Sequence, residues 1–564
     1  MKTPWTDKID RSNPLPEYPR PQMVRELWQS LNGPWDYAVT KAPLRPDIYE
    51  GIITVPFSPE TELSGVNRIL MPDELLWYHK SVKLPDSFSG KRVLLHFDAV
   101  DQEATVWVNG REVVYHMGGY LPFEAEVTDY IADGGMDIVV RVRDISDSGY
   151  HSRGKQRTKR GGIWYTPQSG IWQSVWMEAV PESYVKKLRI TPDFDGAAVE
   201  ISAETVGSDT AYAHFAGESY ALPARIPMPG FRAWSPDDPY LYDFSVSCGE
   251  DRVESYFAMR KFSVEKDADG IMRLFLNGRP LFHNGMLDQG YWPDSMYTPS
   301  CEQAMEFDIL TAKAMGFNML RKHIKVEPLR WYHLCDKHGM LVWQDMINGG
   351  RQYNLLCISS PLITGVHFSD RRYRLFARQD KEGREEYKRE LKEMIEHLYN
   401  CPCIALWVPF NEGWGQFDAA EMYEYTRSLD STRTIDHASG WHDQGVSDVR
   451  SDHVYFRRYT FKPDKLGRAV LLSEFGGYNQ AIEGHCFNTK DFGYKRFDSA
   501  EALEAALTEL YQKQIAPAVK QGLAAAVYTQ VSDVEDELNG LMTYDRQVVK
   551  LPPETVRKII KVAD

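Results

Sequence analysis

Two glutamates stand where a chain has little structural reason to put them. "LWVPFNEGWGQFD", 406–418, runs an apolar, aromatic stretch straight into Asn411-Glu412, and "AVLLSEF", 469–475, closes on Glu474. Asn and Glu are poor strand formers, and a partly buried carboxylate must find donors or shift its pKa. Such positions ask for a chemical reading. Glycoside hydrolysis is the chemistry that needs two carboxyl groups: one protonates the leaving oxygen, and the other attacks the anomeric carbon or activates water, according to their separation. Arg321, in "LRKH", is a candidate donor to Glu474, being always cationic and forked to suit a carboxylate.

The elements that must position these groups change character along the chain. From about 20 to 180, short β-rich runs such as "RVLLHFDAV", "ATVWVNG", "EVVYH" and "MDIVVRV" alternate at period two, with Asn109-Gly110 as a hairpin signal. Several such runs imply a sandwich. From 184 to 263 the runs "SYVKKLRITP", "AVEISAET", "LYDFSVSC" and "SYFAMRKFSV" suffice for a second, immunoglobulin-like β-sandwich. After 264 the period becomes helical. "SCEQAMEFDILTAKAMGF" offers Ser300 and Gln303 in capping-box spacing with Met305, Ile309 and Ala312 on one face. "EEYKRELKEMIEHLY" stripes Tyr387, Leu391, Met394, Ile395 and Leu398. Apolar runs between helices ("PLFHNGML", "NMLRKHI", "MLVWQDM", "CIALWVPF", "RTIDHA", "DHVYF", "AVLLSEF", "AAAVYTQ") make eight candidate strands. Strand–helix alternation of this kind reads as a (β/α)₈ barrel, whose functional groups lie at the C-terminal strand ends. Glu412 falls at the end of the fourth run and Glu474 at the end of the seventh.

Composition narrows the classes of partner. A net charge of −15 argues against nucleic acid or anionic lipid, and no stretch approaches the ~20 apolar residues of a membrane span. The start, "MKTPWTDKIDRSNPLPEYPRPQ", lacks the apolar core of a secretory signal, and seven scattered cysteines fit reduced thiols, so a cytoplasmic location is expected. Fifteen Trp and 31 Tyr suit sugar faces and ordinary cores alike. A small carbohydrate or glycoside is the expected partner, with homo-oligomerisation left open.

Over nearly its whole length the chain resembles glycoside hydrolase family 2, the family of β-galactosidases, β-glucuronidases and β-mannosidases. "GKRVLLHFDAVDQEATVWVNGREVVYHMGGYLPFEAEVTDYI" resembles the family's N-terminal jelly-roll sugar-binding domain, and "GIWQSVWMEAV", ending at Val180, the segment that closes it. "GFNMLRKHIKVEP", "FNEGWG" and "SEFGG" resemble barrel strand two and the paired catalytic segments. The resemblance implies three domains: a jelly roll over 1–183, an immunoglobulin-like sandwich over 184–263 and a TIM barrel over 264–564. It also implies that Glu412 is the general acid/base, Glu474 the nucleophile and Asn411 the holder of the 2-hydroxyl. Glu412 should then be protonated before attack and Glu474 ionised. The ending "LPPETVRKIIKVAD", soon after the eighth strand, suggests that the further C-terminal domains of larger relatives are absent.

Other strand-end residues join the candidate site: His323, Asp345, His453 and Tyr455, the last as a donor to Glu474. Each has an alternative reading as structural support. Asp288, with Tyr291 and Trp292, is placed in the non-reducing sugar's subsite, and Trp441 offers a stacking face. No metal or cofactor is expected. "WYHLCDKH" holds His333, Cys335 and His338, but His333 and His338 lie five apart, about 500° of helical rotation, so they do not share a face. Cys401 and Cys403 have no zinc-knuckle spacing, and the acidic run "DVEDE", 533–537, reads as a solvated loop rather than a cation site. The absence of G-x-S-x-G, G-x-G-x-x-G and P-loop patterns leaves triad and nucleotide chemistry unsupported.

The expected activity is a retaining, exo-acting β-glycosidase. Galactoside ranks first because the segment after strand eight has no lysine and is acidic, so it would repel a uronate. Asn488-Thr489-Lys490 keeps a β-glucuronidase or β-galacturonidase open, and a non-catalytic carbohydrate-binding protein is the rival of another class.

Overall fold

The computed structural model describes residues 1–561, and its strands follow the period-two runs closely. Strands Glu103–Val108 and Arg111–Met117 pair through Asn109 and Gly110, both at positive φ (48° and 78°), as a tight hairpin turn requires. They belong to a six-stranded sheet that packs on a four-stranded one. The inward residues, among them Trp35, Leu76, Tyr78, Val106, Val140 and Met177, form one core between these sheets. A second sandwich, of three and four antiparallel strands between Tyr184 and Phe257, has its own core around Val185, Ile201, Val246 and Phe257.

Eight parallel strands make the barrel: β1 (His283–Asp288), β2 (Met319–Lys322), β3 (Leu341–Asp345), β4 (Ile404–Val408), β5 (Thr434–Ile435), β6 (Val449–Val454), β7 (Ala469–Gly476) and β8 (Leu523–Thr529). Their order is β5-β4-β3-β2-β1-β8-β7-β6, so seven ladders are made and the seam between β5 and β6 has none. Side chains close that seam: Ser447 Oγ donates to the Ile435 carbonyl, and the Ile435 N–H donates to Asp448 at 2.8 Å. Beneath the barrel, Arg273 on the antiparallel strand Met272–Leu276 donates to the carbonyl of Leu523 at the start of β8.

Helices α1 (Glu302–Ala314), α2 (Leu329–His338), α3 (Lys381–Leu398) and α4 (Ala419–Leu429) follow β1 to β4, α5 (Ala500–Leu510) and α6 (Ala516–Gln521) precede β8, and α7 (Pro553–Ile560) follows it. The alternation is incomplete. Among the described residues no helix follows β5 or β6, because "HASGWHDQGVSD" and "YFRRYTFKPDKLGR" carry Gly, Pro and Asp where a helical stripe would be needed. The α1 stripe of Met305, Ile309 and Ala312 is buried as expected, as are all five apolar residues named on α3. The capping box is not formed: Cys301 is the N-cap, it makes no side-chain cap, and the Ser300 hydroxyl is buried without a partner. No described helix is long and apolar enough to cross a membrane.

Candidate active site

Arg321 organises the barrel mouth. It stands on β2, fully buried, and its fork is spent on three strand ends. Nε donates to Asp345 Oδ1 at 2.9 Å, Nη1 to Glu474 Oε1 and the Ser473 carbonyl at 3.1 Å each, and Nη2 to Asn411 Oδ1 at 2.7 Å. Asp345 also accepts from His323 Nδ1 at 2.7 Å, so one carboxylate fixes two cationic or polar neighbours. Burial pushes Asp345 up from the usual carboxylate range while Arg321 pulls it back. Burial, then the nearby Lys155 charge, holds His323 well below its ordinary value, so it is the neutral ring that Asp345 orients.

Glu412 and Glu474 meet across His453. The β6–β7 register has a bulge between Asp452 and His453, which sets His453 opposite Glu474. His453 Nδ1 lies 2.8 Å from Glu412 Oε1 and 3.5 Å from Glu474 Oε2. Carboxylate oxygens of the two glutamates lie within 4.8 Å of each other. Tyr455, one residue past β6, donates to Glu474 Oε2 and shares a hydrogen bond with Thr529 at 2.9 Å. Its ring is stacked on Tyr494, centroids 3.8 Å apart.

The loop after β4 is strained to aim Glu412. Its φ is +51°, uncommon for a residue with a side chain, and its N–H is pinned to the Ser439 carbonyl at 2.9 Å. Gly415 explains the second glycine of "NEGWG": at φ +68°, a Cβ would sit 2.2 Å from the Gly349 carbonyl oxygen. Asn411 has its carbonyl taken by Arg321, but its buried Nδ2 has no acceptor among the described residues.

Electrostatics divides the pair. Burial, then the Glu474 charge, pushes the Glu412 carboxyl above the usual range, against the opposing hydrogen bond from His453. Burial also works against ionisation of Glu474, but His453 and then Arg321 outweigh it and hold Glu474 below that range. The arrangement can keep one proton on Glu412 and a negative charge on Glu474 at the same pH.

The structure thus brings together Asn411, Glu412, Glu474, Arg321, His323, Asp345, His453 and Tyr455. Trp441 lies beside them, half-buried, its ring 6.4 Å from that of His453. Three other candidates are placed differently. Asp288 is withdrawn from the mouth, because its oxygens accept from Lys322 Nζ at 2.7 Å and the Gly290 N–H at 2.9 Å. Asn488 bonds to Asp536 and, at 2.5 Å, to the N–H of Lys490, which is itself exposed and touches neither glutamate. The run Asp533–Glu537 is not a solvated loop either: Asp533 pairs with Lys550 at 2.7 Å, Glu535 and Asp536 with Arg160, and Glu537 accepts from Tyr165. All four acids are buried.

Glu412, His453 and Glu474 are also the described residues whose geometry can take a metal ion. His333, Cys335 and His338 do not converge: His338 binds Glu306 at 2.6 Å and Cys335 is buried. Lys155 is the residue the sequence did not flag. It comes from the first sandwich, is buried, and sets its ammonium 5.8 Å from the ring of Trp414, two residues past Glu412. The basic alternation in "HSRGKQRTKR" was the available signal, but nothing local says that it reaches the barrel.

A jelly-roll sandwich, an immunoglobulin-like sandwich and a barrel with two carboxylates at its mouth define a multidomain TIM-barrel protein of the paired-carboxylate kind. Residues 65–181 match the sugar-binding domain of the glycosyl hydrolases family 2, and 271–530 match that family's TIM barrel domain. The chain belongs to glycoside hydrolase family 2. It is 27% identical over 386 residues to a β-galactosidase of Thermoanaerobacter pseudethanolicus, covering 63% of this chain and 47% of that one. The chain spans about half the length of the curated relatives it matches. Among solved structures, a Ruminococcus gnavus β-glucuronidase superposes with a TM-score of 0.75 at 16% identity, covering 98% of this chain and 100% of that one. A β-galacturonidase from Eisenbergiella tayi bound to galacturonate gives 0.72 at 20% identity, covering 97% and 100%.

Proposed function

We propose that the chain is a retaining, exo-acting β-glycosidase that works by double displacement on terminal β-hexosides. The observation that carries the reading is the pair Glu412 and Glu474, whose oxygens lie within 4.8 Å, near the ~5 to 5.5 Å of retaining enzymes and short of the ~6.5 to 9.5 Å that an activated water needs. In the first step Glu474 attacks the anomeric carbon while Glu412 gives its proton to the departing glycosidic oxygen. The C–O bond breaks and a glycosyl ester forms on Glu474. In the second step Glu412 takes a proton from water, whose oxygen attacks the same carbon and frees Glu474.

The electrostatics supports the change of role. While Glu474 is charged it helps hold the proton on Glu412; once Glu474 is esterified that push disappears, and Glu412 becomes the base the second step needs. Arg321 and Tyr455 keep Glu474 oriented and ionised. The free Nδ2 of Asn411 suits the 2-hydroxyl, a contact that strengthens as the oxocarbenium-like transition state forms.

The relatives' names divide between neutral and acidic sugars. Galactoside led at the level of sequence because an acidic run would repel a uronate; Lys550 and Arg160 pair with three of those four acids and reduce that repulsion. The test of the reaction is the anomer first released from aryl β-glycosides, followed by proton NMR. The β-anomer is expected, and an α-anomer would overturn the retaining mechanism.

A further inference from the structure

Residues 144–169 leave the first sandwich after its strand Gly135–Arg143 and return at Gly170, and between them they cross to the barrel. The crossing is stitched at both ends. The N–H groups of Arg153 and Gly154 donate to the Asn348 carbonyl at 3.0 and 3.2 Å, the Arg153 guanidinium bonds the carbonyls of Gly350 and Arg351, and the Thr166 N–H donates to Glu535 at 3.0 Å. Gly154 is pressed between Tyr120, Tyr297 and the Ile324 carbonyl just past β2, where a Cβ would meet the Tyr297 hydroxyl at 2.7 Å. The backbone at Lys155 is thereby held against the barrel.

The charges along this crossing are unequal in their partners. His151 pairs with Glu386, and Arg160 with Glu535 and Asp536. Between them Arg153, Lys155 and Arg157 meet no carboxylate at salt-bridge distance among the described residues. Arg153 is engaged with backbone carbonyls, and Arg157 lies 3.8 Å over the ring of Trp164. Lys155 has less: the residue is 5% exposed, its ammonium donates to no oxygen among the described residues, and it has only the faces of Tyr165 and Trp414 at 5.5 and 5.8 Å. Every other buried cation on the neighbouring barrel strand and its loop is paired: Arg321 with Asp345 and Glu474, Lys322 with Asp288 and Glu327, Lys325 with Glu327. Aromatic faces offset only part of what an ammonium loses on leaving water, so a buried, unpaired Lys beside a sugar site calls for an anion from outside. Its charge is felt at Glu412 and His323, on the two sides of the mouth.

We propose that Lys155, carried in by the first sandwich, receives the carboxylate of a uronic acid bound beside Glu412 and Glu474, making the substrate a β-uronide. This rests on the β-glycosidase reading and names its substrate class. It also fits the pairing of the acids after β8: Arg160, on the same crossing, bridges Glu535 and Asp536 and so lowers the negative charge that a uronate would meet. Exposed Lys490 has no part in it.

The test compares kcat/KM for 4-nitrophenyl β-glucuronide and β-galacturonide with that for the matching glucoside and galactoside, in the parent and in Lys155→Met, Lys155→Arg and Lys490→Ala. Expected is a parental preference for one uronide of at least ~100-fold. Lys155→Met, which keeps the length of the side chain, should collapse that ratio through KM, Lys155→Arg should recover part of it, and Lys490→Ala should leave it intact. A parent that prefers the neutral sugar, or a Lys155→Met that slows both sugars equally, overturns the assignment. Calorimetric titration of free glucuronate and galacturonate against glucose and galactose separates this from failure of the reaction itself. If no glycoside is turned over, the hydrolase reading falls, while uronate binding lost in folded Lys155→Met still upholds the site and absent uronate binding in the parent refutes it.

Discussion

Two buried ionic clusters lie side by side at the C-terminal ends of the barrel strands, and they are built to opposite specifications. In the cluster of Asp288, Lys322, Glu327 and Lys325, both ammonium groups reach a carboxylate at 2.7 or 2.8 Å, and the remaining Lys325 bonds go to the carbonyls of Gly290 and Tyr297. In the cluster around Arg321 the donors are also short, yet groups are left over: Asn411 Nδ2 has no acceptor, and two carboxylates share one histidine. A network in which each ammonium faces a carboxylate holds strands together. One with spare groups and two carboxyls driven apart in pKa can act on something that enters. Burial does not separate the two, since Asp288 and Glu474 are equally hidden, nor does full hydrogen bonding, since Glu327 Oε2 is itself buried without a donor; what separates them is that one matches each ammonium to a carboxylate while the other sets two carboxyls against one histidine.

The largest way to break the contrast is Glu474→Ala. Steady-state kinetics on aryl glycosides should show a loss approaching the ~10⁶-fold that removal of a hydrolase nucleophile brings, with external azide giving a glycosyl azide in return; a loss below ten-fold would move Glu474 out of its role. Glu412→Ala should cost about 10² to 10⁴ on poor leaving groups and much less on dinitrophenyl glycosides, which need no proton. Equal losses on both would contradict the acid assignment.

Lys322→Met cuts the charge-matched cluster instead. It strands Asp288 and leaves Glu327 with Lys325 alone, and a loss of about 3–5 kcal/mol should appear as a lower thermal midpoint, with the pH profile of kcat/KM unmoved. An unchanged midpoint would show that the charge-matched cluster holds nothing together. The smallest effect is a shift of pH limbs. With Glu474 held low and Glu412 high, kcat/KM should rise as Glu474 ionises and fall as Glu412 loses its proton. His453 lowers both groups, so His453→Asn should move both limbs to higher pH; a downward shift of either would contradict the charge pattern.

The barrel and the carboxylate pair were legible because each functional residue interrupts an apolar strand at a predictable place: Glu412 after "ALWVPF", Glu474 after "AVLLS", Arg321 after "NML". Strand ends converge in a barrel whatever the loops do, so His453 and Tyr455 could be gathered with them. Asp288 obeyed the same rule and was drawn elsewhere, because Lys322 is its in-register neighbour on β2. Lys155 was out of reach for the opposite reason. Its crossing has no period, and only the packing of the first sandwich on the barrel brings it to Trp414. The acidic run after β8 looked solvated because its neutralising partners, Arg160 and Lys550, come from different parts of the fold.

The central claim is that Glu474 forms the covalent intermediate, and trapping that species tests it most directly. The protein would be incubated with dinitrophenyl 2-deoxy-2-fluoro-β-glycosides of galactose, glucuronic acid and galacturonic acid, then weighed intact and digested for peptide mapping. The expected result is one glycosyl unit added by a sugar that the protein accepts, carried on the peptide at Glu474. A stable adduct on Glu412, or steady release of dinitrophenol with the adduct on neither glutamate, would contradict it.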